Sequence, residues 1–259
     1  MPYLRIGDSD LYEEIEGTGE PIVVLHGGFC SLESLAPIAT TLAASHRIYA
    51  YERPGHGRSA DTTGEYSYDG GVAEALQYLD AHGLADAHIV GYSDGAIIGL
   101  LLATAHPERV RSLVAISGNL DPTAFSGDPG ADGPSIPPLP TDETGLEEGD
   151  VSPERLAFAR LSPDGPEHAD VVFDKCMRLW TTEPHIGAAD LARATSPVLV
   201  LGGDRDSVPP GHSLKIASHL PNARLGIVPG TSHGLVNEKP ELVVALILDF
   251  LTEIAPPRP

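Results

Sequence analysis

Ala87-His-Ile-Val-Gly-Tyr-Ser-Asp-Gly95 carries a short apolar run into Gly91-Tyr92-Ser93-Asp94-Gly95, and the chain continues as Ala96-Ile-Ile-Gly-Leu-Leu-Leu-Ala103, small and aliphatic throughout. The reading is strand, tight turn, helix. A serine flanked by glycines two positions away on either side fits a turn sharp enough to strain its backbone, because a side chain at either glycine would crowd it. Such a turn lifts Ser93 Oγ above the carboxyl end of a sheet. It also aims the first amides of the following helix at the oxygen of any carbonyl the serine attacks. Gly230-Thr-Ser-His-Gly234 has the same spacing. Its continuation, Leu-Val-Asn-Glu-Lys-Pro, is no buried helix start, so Ser232 is set aside.

A serine hydroxyl is a weak nucleophile at neutral pH and needs a base held by an acid. On a strand-turn-helix scaffold of this kind the partners come in the order Ser, Asp or Glu, His, each on a loop leaving a strand. Val198-Leu-Val-Leu-Gly-Gly203 reads as a buried parallel strand delivering Asp204-Arg205-Asp206. Arg224-Leu-Gly-Ile-Val228 reads as the next strand and delivers His233, the last histidine in the chain. Asp206 is the expected acid, Asp204 a ligand of its own loop, and Asp121, after the candidate strand Ser112 to Ile116, the fallback.

Through His26-Gly27-Gly28, Glu52-Arg53-Pro54-Gly55-His56-Gly57-Arg58-Ser59, Gly91 to Gly95, Gly203 to Asp206 and Ser232-His233, the chain resembles the α/β-hydrolases over nearly its whole length. The resemblance implies a mostly parallel central sheet with helices on both faces and a helical lid insertion. It also implies an oxyanion hole from the amides of Gly28 and Asp94, and favours Asp206 as the acid. The Ser-Asp-Gly elbow is similar to that of valacyclovir hydrolase, where the aspartate beside the nucleophile pairs with a substrate amino group. That resemblance implies a substrate-binding role for the Asp94 side chain. The rival reading is a carboxylate that stabilises the helix N-terminus or bonds to the lid.

The 259 residues, 41% of them apolar, suffice for one α/β domain with an insertion. The core is expected over 1–120 and 186–259, with the lid over 121–185. The regular alternation breaks after Asp121. Residues 121–150 are crowded with Pro, Gly, Asp and Glu, and Ser152 to Trp180 has helical periodicity interrupted at Ser162-Pro-Asp-Gly-Pro166. Upstream, a hairpin (Tyr3 to Ile6, Leu11 to Ile15), strands at Pro21 to Leu25 and His46 to Tyr51, and a helix from Tyr68 to His82 are expected. An amphipathic helix from Pro240 to Ile254 closes the chain. Phe29 and Trp180 are the candidate substrate contacts beside the oxyanion loop and in the lid. His26 is expected to support that loop, Tyr92 to support the elbow, Cys30 to be a small buried residue, and His56 and Arg58 to lie on a surface turn.

Sixteen basic residues, only three of them lysine, stand against 37 acidic ones, a net charge of −21. Nucleic acid and anionic membrane surfaces need positive potential and are not expected as partners. No apolar run approaches the roughly 20 residues that span a bilayer. Two cysteines outside any metal-type cluster, and an N-terminus without a signal pattern, suit a cytoplasmic monomer or homodimer. The expected activity is hydrolysis of small carboxylic esters through an acyl-enzyme, with no metal or organic cofactor. An amidase, lactonase, thioesterase, carbon–carbon hydrolase or acyltransferase would use the same residues. A cofactor-independent oxygenase or a ligand receptor on this fold are the readings without an acyl-serine.

Overall fold

Short runs of β-branched and aliphatic residues separated by amphipathic helices fold into an eight-stranded sheet. The computed structural model describes residues 2–125 and 151–254. The strands are β1 (Tyr3–Ile6), β2 (Ser9–Glu16), β3 (Pro21–Leu25), β4 (Arg47–Tyr51), β5 (Ala87–Tyr92), β6 (Val110–Ile116), β7 (Val198–Gly203) and β8 (Ala223–Val228). Their spatial order is β1-β2-β4-β3-β5-β6-β7-β8. β1 and β2 form an antiparallel hairpin whose second strand runs antiparallel to β4, and all remaining pairings are parallel. The central strands β5 and β7 are buried at every residue, as continuous apolar runs covered on both faces must be.

The helices are α1 (Ala36–Leu42), α2 (Tyr68–Ala81), α3 (Asp94–Ala105), α4 (Pro153–Leu161), α5 (Ala169–Thr182), α6 (Ala188–Leu191), α7 (Pro210–His219), α8 (Leu235–Glu238) and α9 (Pro240–Ile254). One apolar layer joins the sheet to α2, α3 and α7, with Tyr78, Leu79, Ile98 and Ile216 in its interior. The other joins the opposite face to α1, α8 and α9, with Ile38, Leu235, Ile247 and Phe250. α3 is apolar all round because it has no solvent face; it lies between α2 and strands β5 and β6.

From β3 the chain moves outward to β4, then returns across β3 to β5. Connections therefore leave β3 and β5 in opposite directions and open a crevice at their carboxyl ends, where ligands bind in open α/β sheets.

The periodic stretch after Ser152 forms two helices, α4 and α5, broken at 162–168 where Pro163 and Gly165 interrupt it. They enclose a small apolar cluster of Phe29, Phe158, Ala169, Val172 and Cys176. Lys175 on α5 reaches back to the loop after β4 and donates to Asp61 Oδ2 at 2.8 Å. Asp61 also accepts from Tyr66 at 2.6 Å and pairs with His168 at 2.9 Å. Of the loop expected over 121–150, Pro122–Phe125 forms a 3-10 turn, and residues 126–150 lie outside the described residues. No helix among the described residues is long and apolar enough to cross a membrane.

Candidate active site

Every strand from β3 to β8 ends in a group that faces the same crevice or supports one that does. Ser93 comes directly after β5 with φ 55° and ψ −117°, a conformation that serine adopts only under constraint. Its amide donates to Ile116 O at 2.8 Å, and its carbonyl accepts from Ala96 and Ile97 at 2.9 and 3.1 Å. The turn is tight enough that a Cβ on Gly91 would stand 2.2 Å from Gly95 O, and one on Gly95 2.1 Å from Leu25 O. No flexible side chain intervenes to yield, so both positions require glycine.

Ser93 Oγ lies 3.1 Å from His233 Nε2, and His233 Nδ1 lies 2.7 Å from Asp206 Oδ1. Asp206 also accepts from the Val208 amide at 2.9 Å on Oδ1 and from Ser117 Oγ at 2.5 Å on Oδ2. Burial opposes its charge, yet His233 and these donors outweigh burial and hold Asp206 below the usual carboxylate range. Burial likewise opposes a charged His233, and Asp206 overcomes it, so the imidazole pKa is raised. Ser117 was not legible as part of this group; it directly follows β6, its φ is 54°, and its amide donates to Leu201 O. Tyr92 donates to His233 O at 3.1 Å with its ring 5.4 Å from the imidazole, tying the elbow to the histidine loop.

The alternative residues point elsewhere. Asp204 accepts from the Thr231 amide at 3.1 Å, and Asp121 caps its own turn through the Thr123 amide at 3.0 Å. Ser232 donates its amide to Glu238 at 2.8 Å and its hydroxyl to the same carboxylate. The stretch after it does form the four-residue α8, with Leu235 and Val236 buried, but Ser232 stays bound to that helix's own Glu238.

Gly28 packs directly on Asp94, the residue after Ser93: a Cβ there would fall 2.5 Å from both Asp94 Oδ2 and Trp180 Cζ2. The Asp94 and Gly95 amides at the start of α3 have no acceptor within the helix. The Gly27–Gly28 segment and this helix start thus face one another across the β3/β5 crevice.

Asp94 sits among buried partners. Its side chain is only 3% exposed and ion-paired with Arg53 at 3.2 Å. Oδ1 accepts from Tyr68 Oη at 3.0 Å and from Trp180 Nε1 at 2.9 Å, and Oδ2 accepts from Arg53 Nη2. The bond from Trp180 on α5 is the contact expected of a carboxylate that bonds to the lid. Its charge is offset from behind. The turn carrying His56 and Arg58 is also inside rather than on the surface. His56 is buried beneath Arg53, and burial with that charge pushes its pKa down to about 3. Arg58 donates to the buried Glu52 at 2.8 Å. Cys30 carries a thiol that burial pushes up to about 12, which removes nucleophilic character.

Beside Gly28 opens a cavity of about 460 Å³ walled by Phe29, Phe173, Trp180, Ser152, Glu154 and Arg155. Phe29 stands edge-on to Phe173 and parallel to Phe158, and the Arg155 guanidinium lies 5.4 Å over Phe173 while paired with Asp170 at 2.7 Å. A smaller cavity of about 160 Å³, bounded by Cys30, Ala157, Phe158 and Leu161, shares Phe29 with it. Phe29 and Trp180 thus border one opening, with Trp180 also bound to Asp94.

Comparison with known proteins agrees with this fold. A 118-residue stretch is 42% identical to "Putative carbamate hydrolase RutD" of Azorhizobium caulinodans, covering 46% of this chain and 44% of that protein. Rhodomycin D methylesterase DnrP of Streptomyces peucetius is 28% identical, with 91% of this chain and 93% of that protein covered. Among solved structures, the enol-lactonase from Burkholderia xenovorans LB400 superposes with a TM-score of 0.76 at 20% identity, covering 97% of this chain and all of that one. The model of the alpha/beta hydrolase family matches residues 22–246, and the chain belongs to that family.

Proposed function

We propose that the protein is a serine hydrolase that cleaves small carboxylic esters through an acyl-enzyme. The observation that carries this reading is the unbroken hydrogen-bonded line Ser93–His233–Asp206 at 3.1 and 2.7 Å, with the nucleophile on a strained elbow. Ser93 Oγ attacks the carbonyl carbon while its proton passes to His233 Nε2. The oxyanion is held by the amides of Gly28 and Asp94. Collapse expels the alcohol, which takes the proton from His233, and a water activated by the same nitrogen then releases the acid and restores Ser93. Asp206 keeps Nδ1 protonated so that Nε2 faces the serine. Helices α4 and α5, within a cap over 121–185, supply the aromatic walls.

A carbamate substrate is the second reading, favoured by the identity to the Azorhizobium caulinodans protein. It uses the same attack on a carbonyl with nitrogen in the leaving or acyl portion. Intact mass after exposure to a fluorophosphonate, with peptide mapping, tests the mechanism: one adduct on Ser93, absent in Ser93→Ala and His233→Ala, is expected. An unlabelled, folded protein overturns it. Parallel turnover of p-nitrophenyl esters and aryl carbamates decides between the two acyl classes.

A further inference from the structure

We infer that Arg53, at the end of β4, is a positioning residue that sets the oxyanion hole, and that Asp94 is its counter-ion rather than a substrate contact. The inference rests on the serine-hydrolase reading above. One terminal nitrogen, Nη2, donates both to Gly27 O and to Asp94 Oδ2, at 3.2 Å in each case. Gly27 O belongs to the peptide that carries the Gly28 amide. A trans peptide is planar with its carbonyl and N–H antiparallel, so fixing the direction of the Gly27 carbonyl fixes the direction of the Gly28 N–H.

A second donor pins the same carbonyl. The Arg53 amide donates to His26 Nε2 at 3.0 Å, which leaves the proton of the neutral imidazole on Nδ1; that nitrogen lies 2.7 Å from Gly27 O and donates to it. Burial and the Arg53 charge keep His26 well below its ordinary pKa, consistent with this tautomer. Arg53 thus acts on the Gly27 carbonyl twice, directly through its guanidinium and indirectly through its backbone.

The other contact of Nη2 reaches the second half of the hole. Asp94 provides the second oxyanion amide, and its carboxylate would oppose a developing oxyanion if left uncompensated. Arg53, 9% exposed in its side chain, offsets that charge, while Tyr68 and Trp180 fix the orientation of the carboxylate. One cation therefore ties together the two segments whose amides must converge on a single oxygen. Donors held in this way need no reorganisation as charge develops, which is where oxyanion holes gain their effect.

The test is kinetic. In Arg53→Lys, kcat for a p-nitrophenyl ester is expected to fall about 10- to 100-fold with KM within about threefold. That is part of the 10²–10³ lost when a hole donor is removed outright. The inhibition constant of a trifluoromethyl ketone, which forms a tetrahedral adduct on Ser93, should rise in step with the loss in kcat/KM. Because neutralising either partner alone leaves an unpaired buried charge, Arg53→Met with Asp94→Asn serves as the second variant. It removes both charges together, keeps an acceptor for Tyr68 and Trp180, and is expected to fold. The same loss of kcat and inhibitor affinity in that variant, with Tm close to the parent, supports the assignment. Full activity and unchanged inhibitor affinity there overturn it and make the pair purely structural. Parent enzyme that neither turns over esters nor labels at Ser93 would instead overturn the hydrolase reading.

Discussion

His233 and Asp206 shift in opposite directions for one reason: each stabilises the charged form of the other against the cost of burial. The proposed mechanism needs His233 neutral. Its pKa is raised, so the acid limb of kcat/KM should fall above pH 6.5, with activity lost as pH drops through it. A pH-rate profile on a p-nitrophenyl ester checks this, and an acid limb at or below pH 6 would contradict it. Glu74 offers a second titration, for stability. Burial raises its pKa to about 7 despite the attraction of Arg53. A carboxyl raised in the fold stabilises it below the unfolded value near 4.5, and that contribution is lost as pH rises toward 7. Glu74→Gln should therefore raise Tm at pH 8 and leave it nearly unchanged at pH 4.5. Ser93, Asp206 and His233 were legible because each sits in a local pattern at a strand end. The residues that surround Asp94 were not: Tyr68, Arg53 and Trp180 lie 26, 41 and 86 positions away in sequence. The motif Glu52 to Ser59 was visible, but nothing in it says that Arg53 turns toward the nucleophile.

Elements divide between those set by local chemistry and those set by packing. The leading hairpin, strand β3, α2 within one residue and α9 come directly from alternation, turn glycines and helical periodicity. The break between α4 and α5 comes from Pro163 and Gly165. The attachment of α5 to the core does not, since Lys175, Asp61 and His168 become neighbours only in the folded chain. Lys175→Met should loosen α5 selectively. Asp61 keeps Tyr66 and His168, so the cost is expected near about 2 kcal/mol, below the range for a fully orphaned buried charge. Hydrogen exchange should show faster exchange in 169–182 and little change in β5. The elbow leaves no such latitude. Gly95→Ala places a Cβ against the Leu25 carbonyl, backbone on backbone, and should cost about 3 kcal/mol or more or prevent folding.

Across the whole molecule, a net charge of −21 acts against compactness at every pH where the carboxylates are ionised. Raising salt from about 0.01 M to about 0.15 M shortens the screening length from about 30 Å to about 8 Å. Tm should climb by roughly 2–5 °C over that interval, about 1 kcal/mol for a chain of this size; a flat response to NaCl would mean that local ion pairs already neutralise the repulsion. The proposed function separates two kinds of change: substitutions on α4 and α5 are expected to alter what enters, and those at the strand ends what is done to it. Trp180 belongs to both sets, and it is the single tryptophan of the 259 residues. The protein's long-wavelength emission therefore comes from one indole whose N–H is bonded to the carboxylate of Asp94, next to Ser93. Under the proposed mechanism, selective excitation of that indole in the unlabelled protein should report phosphonylation of Ser93 as a shift of the emission, which would turn every turnover experiment into an optical one.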